Sequence, residues 1–233
     1  MNTTDWLSNW TYPDFPKPDN EAERIDRIAE LSLEQFPKSE ILQNVCEIAG
    51  LVTQCDMVAV TVVGKDKQLI LANELSEEAK HKAGDISQSM PRHDSFCNHT
   101  VAGNRSFEVT ALTSDPRFKN NPTVIGSPNF KFYSGVPIKT EENEALGSVC
   151  ALNFSERSGL SDAQVKALEN LARIAYREII HIETSKTARY QSKKMELESK
   201  LRQNLAAELE KQRLAAIEQA NFKSEFLPVS ISS

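Results

Sequence analysis

Residues 130–153 read FKFYSGVPIKTEENEALGSVCALN, and the fold class turns on them. Phe130 to Ile138 and Leu146 to Asn153 are two strand-like runs joined by the polar turn Thr140 to Asn143, the pattern of an antiparallel hairpin. Side chains alternate across a strand, so Phe132 and Tyr133 face opposite sides of the sheet. Gly135 and Pro137 suit a close backbone approach and a strand end. Working upstream, Met57 to Val63 is β-branched and apolar enough for a central strand. Asp66-Lys67 turns it into Gln68 to Ala72, a second hairpin. Before that come two helical patterns. One begins near Glu21, with Ile25, Ile28, Leu31 and Leu33 apolar, and ends before Pro37. The other starts after Ser39, a candidate N-cap, with Ile41, Leu42, Val45, Ile48, Ala49 and Val52 expected inward. Downstream, Ser161 caps a further helix whose stripe is Val165, Leu168, Leu171, Ala172, Ala175, Ile179 and Ile182. Helix, helix, hairpin, irregular stretch (Ser76 to Pro128), hairpin and helix predict an α+β domain on an antiparallel sheet.

Composition narrows the partners. The 233 residues carry 27 Lys and Arg against 33 Asp and Glu, a formal net charge of −6, which disfavours nucleic acid and anionic membrane surfaces. Hydrophobic residues make up 39%, and no apolar run reaches the roughly 18 residues of a spanning helix. Met1 to Asp5 lacks the basic start and apolar core of a signal peptide. Cys46, Cys55, Cys97 and Cys150 are then expected as free thiols in the cytoplasm.

Glycine and proline mark the ends of the domain. All eight glycines fall between Gly50 and Gly159, and no proline lies between Pro137 and Pro228. Ser161 to Leu227 therefore holds no strong helix breaker. A helix of that length cannot be covered by a domain of this size. Beyond Ile182 the sequence is dominated by Lys, Arg, Glu, Gln and Ala, with Leu197, Leu201, Leu205, Leu209, Leu214 and Ile217 interspersed. Spacings of four drift around a helix and make no strict heptad, but a narrow stripe with no intramolecular cover favours a parallel homodimer through this segment. A solvated single helix rich in charge pairs is the other reading. The expected division is a strap over 1–20 (Trp6, Trp10, Tyr12, Phe15, Pro13, Pro16 and Pro18), a domain over 21–182, a signalling helix over 183–227 and a disordered tail over 228–233.

Four segments together resemble one family: Asn20 to Arg24, Ser95-Phe-Cys-Asn-His-Thr100, Asp115-Pro-Arg-Phe118, and Phe132 to Pro137 followed by Leu146 to Cys150. In this order they resemble a GAF domain of the type found ahead of bacterial sensor histidine kinases and diguanylate cyclases, over roughly residues 20 to 182. The resemblance implies a sheet of five or six strands, helices from both ends on one face, and a small-molecule pocket on the other. Ala220 to Leu227 also resembles the segment leading into the phospho-acceptor helix of sensor histidine kinases. No histidine follows in Pro228 to Ser233, so the chain is expected to be the sensory half of such a protein, without catalysis of its own.

The candidate pocket residues are Phe96, Cys97, His99, Asp115, Arg117, Phe118, Phe132 and Tyr133. His93, Cys97 and His99 could donate to a metal, but their spacing matches no standard zinc pattern and a fourth ligand is missing. Cys97 could be a nucleophile activated by an imidazole, which would make a small thiol or redox enzyme. Residues two apart on a short helix point away from each other, however, and no third orienting group is evident. Bilin-binding GAF domains place His directly after the attachment Cys, whereas Asn98 intervenes here, so no covalent chromophore and no cofactor are expected. Asp115 reads as a cap of the turn that Pro116 begins, with Phe118 in the core, or as the partner of an anion-facing Arg117. Cys46 and Cys150 read as small core residues. A GAF domain used only for dimerisation is the remaining alternative.

Overall fold

The computed structural model describes residues 15–31, 33, 36–83 and 86–226. Trp6, Trp10 and Tyr12 of the strap and the 228–233 tail lie outside the described residues. The chain divides into two units, Met1–Glu183 and Thr184–Ser233.

Helices α1 (Glu21–Glu30) and α2 (Glu40–Thr53) lead into strands β1 (Met57–Val63) and β2 (Lys67–Leu75). A short helix α3 (Glu77–Ala83), strand β3 (Ser89–Pro91), a 3₁₀ turn (Arg92–Asp94) and helix α4 (Cys97–Gly103) follow. Strand β4 (Phe107–Val109), helix α5 (Pro122–Ile125), strands β5 (Phe132–Lys139) and β6 (Ala145–Asn153) and helix α6 (Asp162–Phe226) complete the order. The strands make one antiparallel sheet in the order β3-β2-β1-β6-β5-β4. Both expected hairpins are present.

Strand alternation sorts this sheet into two cores. Val58, Val60, Val62, Phe132, Val136, Val149 and Ala151 pack with Leu42, Val45 and Ala49 of α2 and Leu168, Ala172, Ala175 and Ile179 of α6. Met57, Ala59, Val63, Tyr133, Cys150 and Leu152 face the other way, toward Phe96, Cys97 and Val101 of α4, Leu112, Phe118 and Phe130. All residues of β1 and β6 are buried, as expected of central strands covered on both sides. The register shifts between Ile138 and Lys139, where Leu146 is the extra residue and turns its side chain into the helix-side core. Gly147 follows directly: a Cβ there would lie 1.8 Å from the Thr61 carbonyl oxygen, so no other residue lets β6 approach β1 this closely.

Local chemistry sets the helix ends. The Ser39 hydroxyl accepts the Leu42 N–H at 3.2 Å. Ser161 and Gln164 satisfy each other's backbone N–H groups, at 3.3 and 2.9 Å, a reciprocal capping box. Two sequence expectations change. On α2 the inward stripe is Leu42, Val45, Cys46, Ala49 and Thr53, whereas Ile41 and Ile48 are 47% and 48% exposed. An apolar residue one position off the stripe is turned by 100° and clears the sheet. On α1 the buried residue is Arg24, because its guanidinium donates to the Val63 carbonyl and pairs with Glu21. Ile25 and Ile28 are only partly buried.

In the second unit, Leu197, Leu201, Leu205, Leu209, Leu214 and Ile217 are 44–69% exposed. No helix among the described residues is long and apolar enough to cross a membrane.

Candidate functional site

On the sheet face away from α2 and α6, strands β1, β2, β5 and β6 form the floor of a cavity of about 270 Å³. Met57, Ala59, Ile70, Phe130 and Leu152 line it with Phe96 from the residue preceding α4. Its polar lining is neutral: Thr61, Gln68, Ser87, Ser89, Thr123, Ser127 and the Tyr133 ring. Among the described residues, no Asp, Glu, Lys, Arg or His lines the cavity. Gln68 is only 4% exposed and its carbonyl accepts from the Ser95 hydroxyl, which ties β2 to the segment leading into α4. Tyr133 lies across Gly135, where a Cβ would come within 2.2 Å of its hydroxyl. That hydroxyl is 2.7 Å from Thr100 Oγ1 of α4.

The sequence candidates divide between this cavity and its flank. Phe96, Cys97 and Tyr133 line the cavity. His99, Asp115, Arg117 and Phe118 gather beside it around Phe107. The His99 ring stacks on Phe107 at 5.4 Å and meets Phe118 edge-on at 4.7 Å. Phe118 in turn meets Phe96 at 5.3 Å, joining the cluster to the cavity wall. The Arg117 guanidinium lies over Phe107 and Phe118 at 5.0 and 5.1 Å and is held by both Asp115 oxygens at 2.9 and 2.6 Å. The Asp115 carboxylate also accepts the Arg117 backbone N–H at 2.9 Å. The hydrogen bond from Arg117 holds Asp115 below its ordinary value against the opposing effect of burial. The Arg117 charge is therefore already matched. Phe132 lies on the opposite face, in the core under the helices, because it neighbours Tyr133 on the same strand.

Burial, followed by the nearby Arg117 charge, pushes His99 down to about 4 from 6.5. A histidine whose folded value is depressed binds fewer protons folded than unfolded between those two values. Its stability contribution is complete above pH 6.5 and is lost as pH falls toward 4. We expect the wild-type chain to lose about 2 kcal/mol between pH 7 and pH 5 through this group. His99→Phe, which keeps the ring contacts, should flatten that loss. Urea titrations at the two pH values measure it, and an unchanged slope would remove His99 as its cause.

Sequence reasoning missed the charged anchor beside the site. Arg92 is 1% exposed, donates to both Glu21 oxygens (3.2 Å from Nη2) and, through Nε, to Asn98 Oδ1 at 2.7 Å. Asn98 Nδ2 donates to the Pro16 carbonyl at 2.8 Å, and the Arg92 guanidinium lies 4.8 Å from the Phe15 ring centre. Pro16 is thus fastened to α4, and Phe15 to the 3₁₀ turn before it. Nothing in a lone Arg-His-Asp run signals this; the burial arises only when α1 folds back over the sheet. Thr61 was legible as the single polar residue within an apolar strand.

An antiparallel sheet with helices on one face and a cavity beside a short helix on the other defines an α+β module. Residues 38–179 match the GAF domain family, more than half of the chain, and the protein belongs to that family. A cyclic di-GMP phosphodiesterase of Pseudomonas aeruginosa is 29% identical over 216 residues, covering 93% of this chain and 34% of that protein. The chain thus spans about a third of that relative's length. Among solved structures, a far-red cyanobacteriochrome photoreceptor aligns with a TM-score of 0.51 at 12% identity, over 70% of this chain and 99% of the other. The GAF domain of an Acinetobacter phosphoenolpyruvate-protein phosphotransferase aligns with a TM-score of 0.49 at 13% identity, over 71% and 98%. At 12% identity the likeness to the photoreceptor concerns the fold alone.

Proposed function

We propose that the chain is the sensory input module of a bacterial signalling protein, in which an occupant of the cavity biases the terminal helices. The observation that carries this reading is that β1 and β6 are shared walls. Met57, Ala59, Cys150 and Leu152 face the cavity, while their strand neighbours Val58, Val60, Val149 and Ala151 lie in one core with Leu168, Ala172, Ala175 and Ile179 of α6. A displacement of either strand is felt by both. The neutral lining favours a small, uncharged, largely apolar ligand, since a charge buried there would find no counter-charge. The ligand acts only through the difference in its affinity for two helix arrangements.

The second unit passes the bias on as a parallel homodimer. Its support is the exposed leucine series, and a further apolar set on the helix layer, Ile41, Ile48 and Ile174, reinforces pairing. The output domain is a histidine kinase on the resemblance of Ala220 to Leu227. The Pseudomonas relative favours a second reading, control of cyclic di-GMP turnover. The coding sequence that follows the Ser233 codon distinguishes a phospho-acceptor histidine from a phosphodiesterase domain.

Filling the cavity mimics occupancy. Ala59→Leu should change amide exchange over Leu168–Ile179 by roughly tenfold, the scale of a 1.4 kcal/mol bias between helix arrangements, with the circular dichroism spectrum retained. Unchanged protection in a folded variant would overturn the coupling.

A further inference from the structure

Two cysteines far apart in sequence meet at the cavity wall. Cys97 opens α4 and Cys150 sits in the middle of β6, with their sulfurs 3.6 Å apart. Both line the cavity, and both are otherwise shielded, at 3% and 2% exposure. A free thiol pair this close needs a further approach of about 1.6 Å to reach the S–S bond length of roughly 2.05 Å. The surroundings supply polar support without a charge. The Ser148 hydroxyl is buried beside both sulfurs and is placed to donate to Cys97 or to Cys150. The Thr61 and Tyr133 hydroxyls lie on the same side.

We propose that Cys97 and Cys150 form a redox-active dithiol that reduces a small peroxide admitted to the cavity and closes into a disulfide. This goes beyond ligand sensing and does not depend on it. In the first step the Cys97 thiolate attacks one peroxide oxygen and the O–O bond breaks. The departing hydroxide takes up the proton that Cys97 released, giving water and a Cys97 sulfenic acid. In the second step the Cys150 sulfur attacks the Cys97 sulfur and the S–O bond breaks. The hydroxide leaves with the Cys150 proton as a second water. Two electrons have passed from the two thiols to the peroxide, and an external thiol reductant restores the pair by exchange.

The order of attack follows from the environment. Burial raises the Cys97 thiol, but hydrogen bonds from Cys150, Ser148, Thr61 and Tyr133 outweigh it and hold Cys97 below its ordinary value. Its hydrogen bond to Cys97, then burial, pushes Cys150 well above the ordinary thiol value. Cys97 is therefore the attacking sulfur and Cys150 the resolving one. Cys46, in the core under the helices on the other face of the sheet and pushed up to about 12 by burial, serves as an internal control.

The test uses the full chain and hydrogen peroxide. All four cysteines start free, so denatured thiol counts begin at four. Equimolar peroxide should lower the count to two, remove two hydrogens from the intact mass, and yield one peptide pair joining Cys97 to Cys150. Dithiothreitol should reverse all three changes. Cys150→Ser should stop the bridge and let Cys97 advance to sulfinic acid, while Cys46→Ala should still form the bridge. Four thiols persisting after excess peroxide would overturn the proposal. So would a bridge to Cys46 or Cys55, or oxidation confined to Met57 and Met90 in the same cavity. The wild-type mass and peptide map decide the matter even if a variant fails to fold.

Discussion

Replacing Glu21 by alanine is expected to remove about 3 kcal/mol of folding stability and to lower the melting temperature by roughly 6–12 °C. Glu21 lies between two arginines, Arg24 at 0% and Arg92 at 1% exposure, and is ion-paired with both. Taking away the carboxylate leaves two like charges buried side by side, and this, rather than the loss of any one hydrogen bond, sets the cost. The low end of the usual range applies because the Glu21 side chain keeps 21% exposure, through which water can enter. Burial alone would raise the Glu21 carboxyl, but the Arg92 hydrogen bond and the Arg24 and Arg92 charges hold it below its ordinary value of 4.5. A carboxylate depressed in this way stabilises the fold above pH 4.5 and ceases to do so as pH falls through its lower folded value. Wild type should therefore lose stability in that acid range, and Glu21→Ala should lack this component. Differential scanning calorimetry from pH 7 to pH 3 reads both. A melting temperature within about 2 °C of wild type at pH 7 would mean that the arginines find other partners.

The second large effect concerns the exposed leucines. The full chain should sediment as a dimer at tens of micromolar, and Leu201→Lys combined with Leu205→Lys should sediment as a monomer. Burying one leucine contributes about 1.5–3 kcal/mol, and a symmetric pair would lose four. Even half of that total, about 3–6 kcal/mol, weakens association by roughly a hundredfold to ten-thousandfold. Leu197→Cys tests direction: identical positions meet and crosslink in a parallel pair, and they lie far apart in an antiparallel one. The double-lysine variant staying dimeric would move the interface to the Ile41, Ile48 and Ile174 face and leave the second unit to follow it.

Much of the sheet was legible because its signals are local. The hairpin over 130–153 needs only two apolar runs and a polar turn, and the Ser39 and Ser161 caps need only a hydroxyl at the right offset. The site was less legible because it is assembled across the chain. Alternation placed Phe132 and Tyr133 on opposite faces but could not say which faced the cavity. That depends on the register of β5 against β6, which the bulge at Leu146 fixes. Cys150 reads as a core residue by its neighbours in sequence, and its thiol partner comes from a helix 53 positions away. Ile41 and Ile48 misled for a similar reason: α2 carries more apolar residues than one stripe can hold, and only packing selects among them.

The pairing of β1 with β6 also bears on how the chain is made. Met57 lies opposite Leu152, so the middle of the sheet joins segments synthesised some 90 residues apart. At roughly 5–20 residues per second, a ribosome leaves β1 without that neighbour for about 5–20 s. Until then the strand, which the finished protein buries along its whole length, has only β2 beside it and an open edge on the other side. A nascent chain halted between residues 75 and 145 carries that open edge with no route to closing it. Such arrested chains are the species on which chaperones and aggregation compete, and the speed of translation through the second half of the domain sets how long that competition lasts.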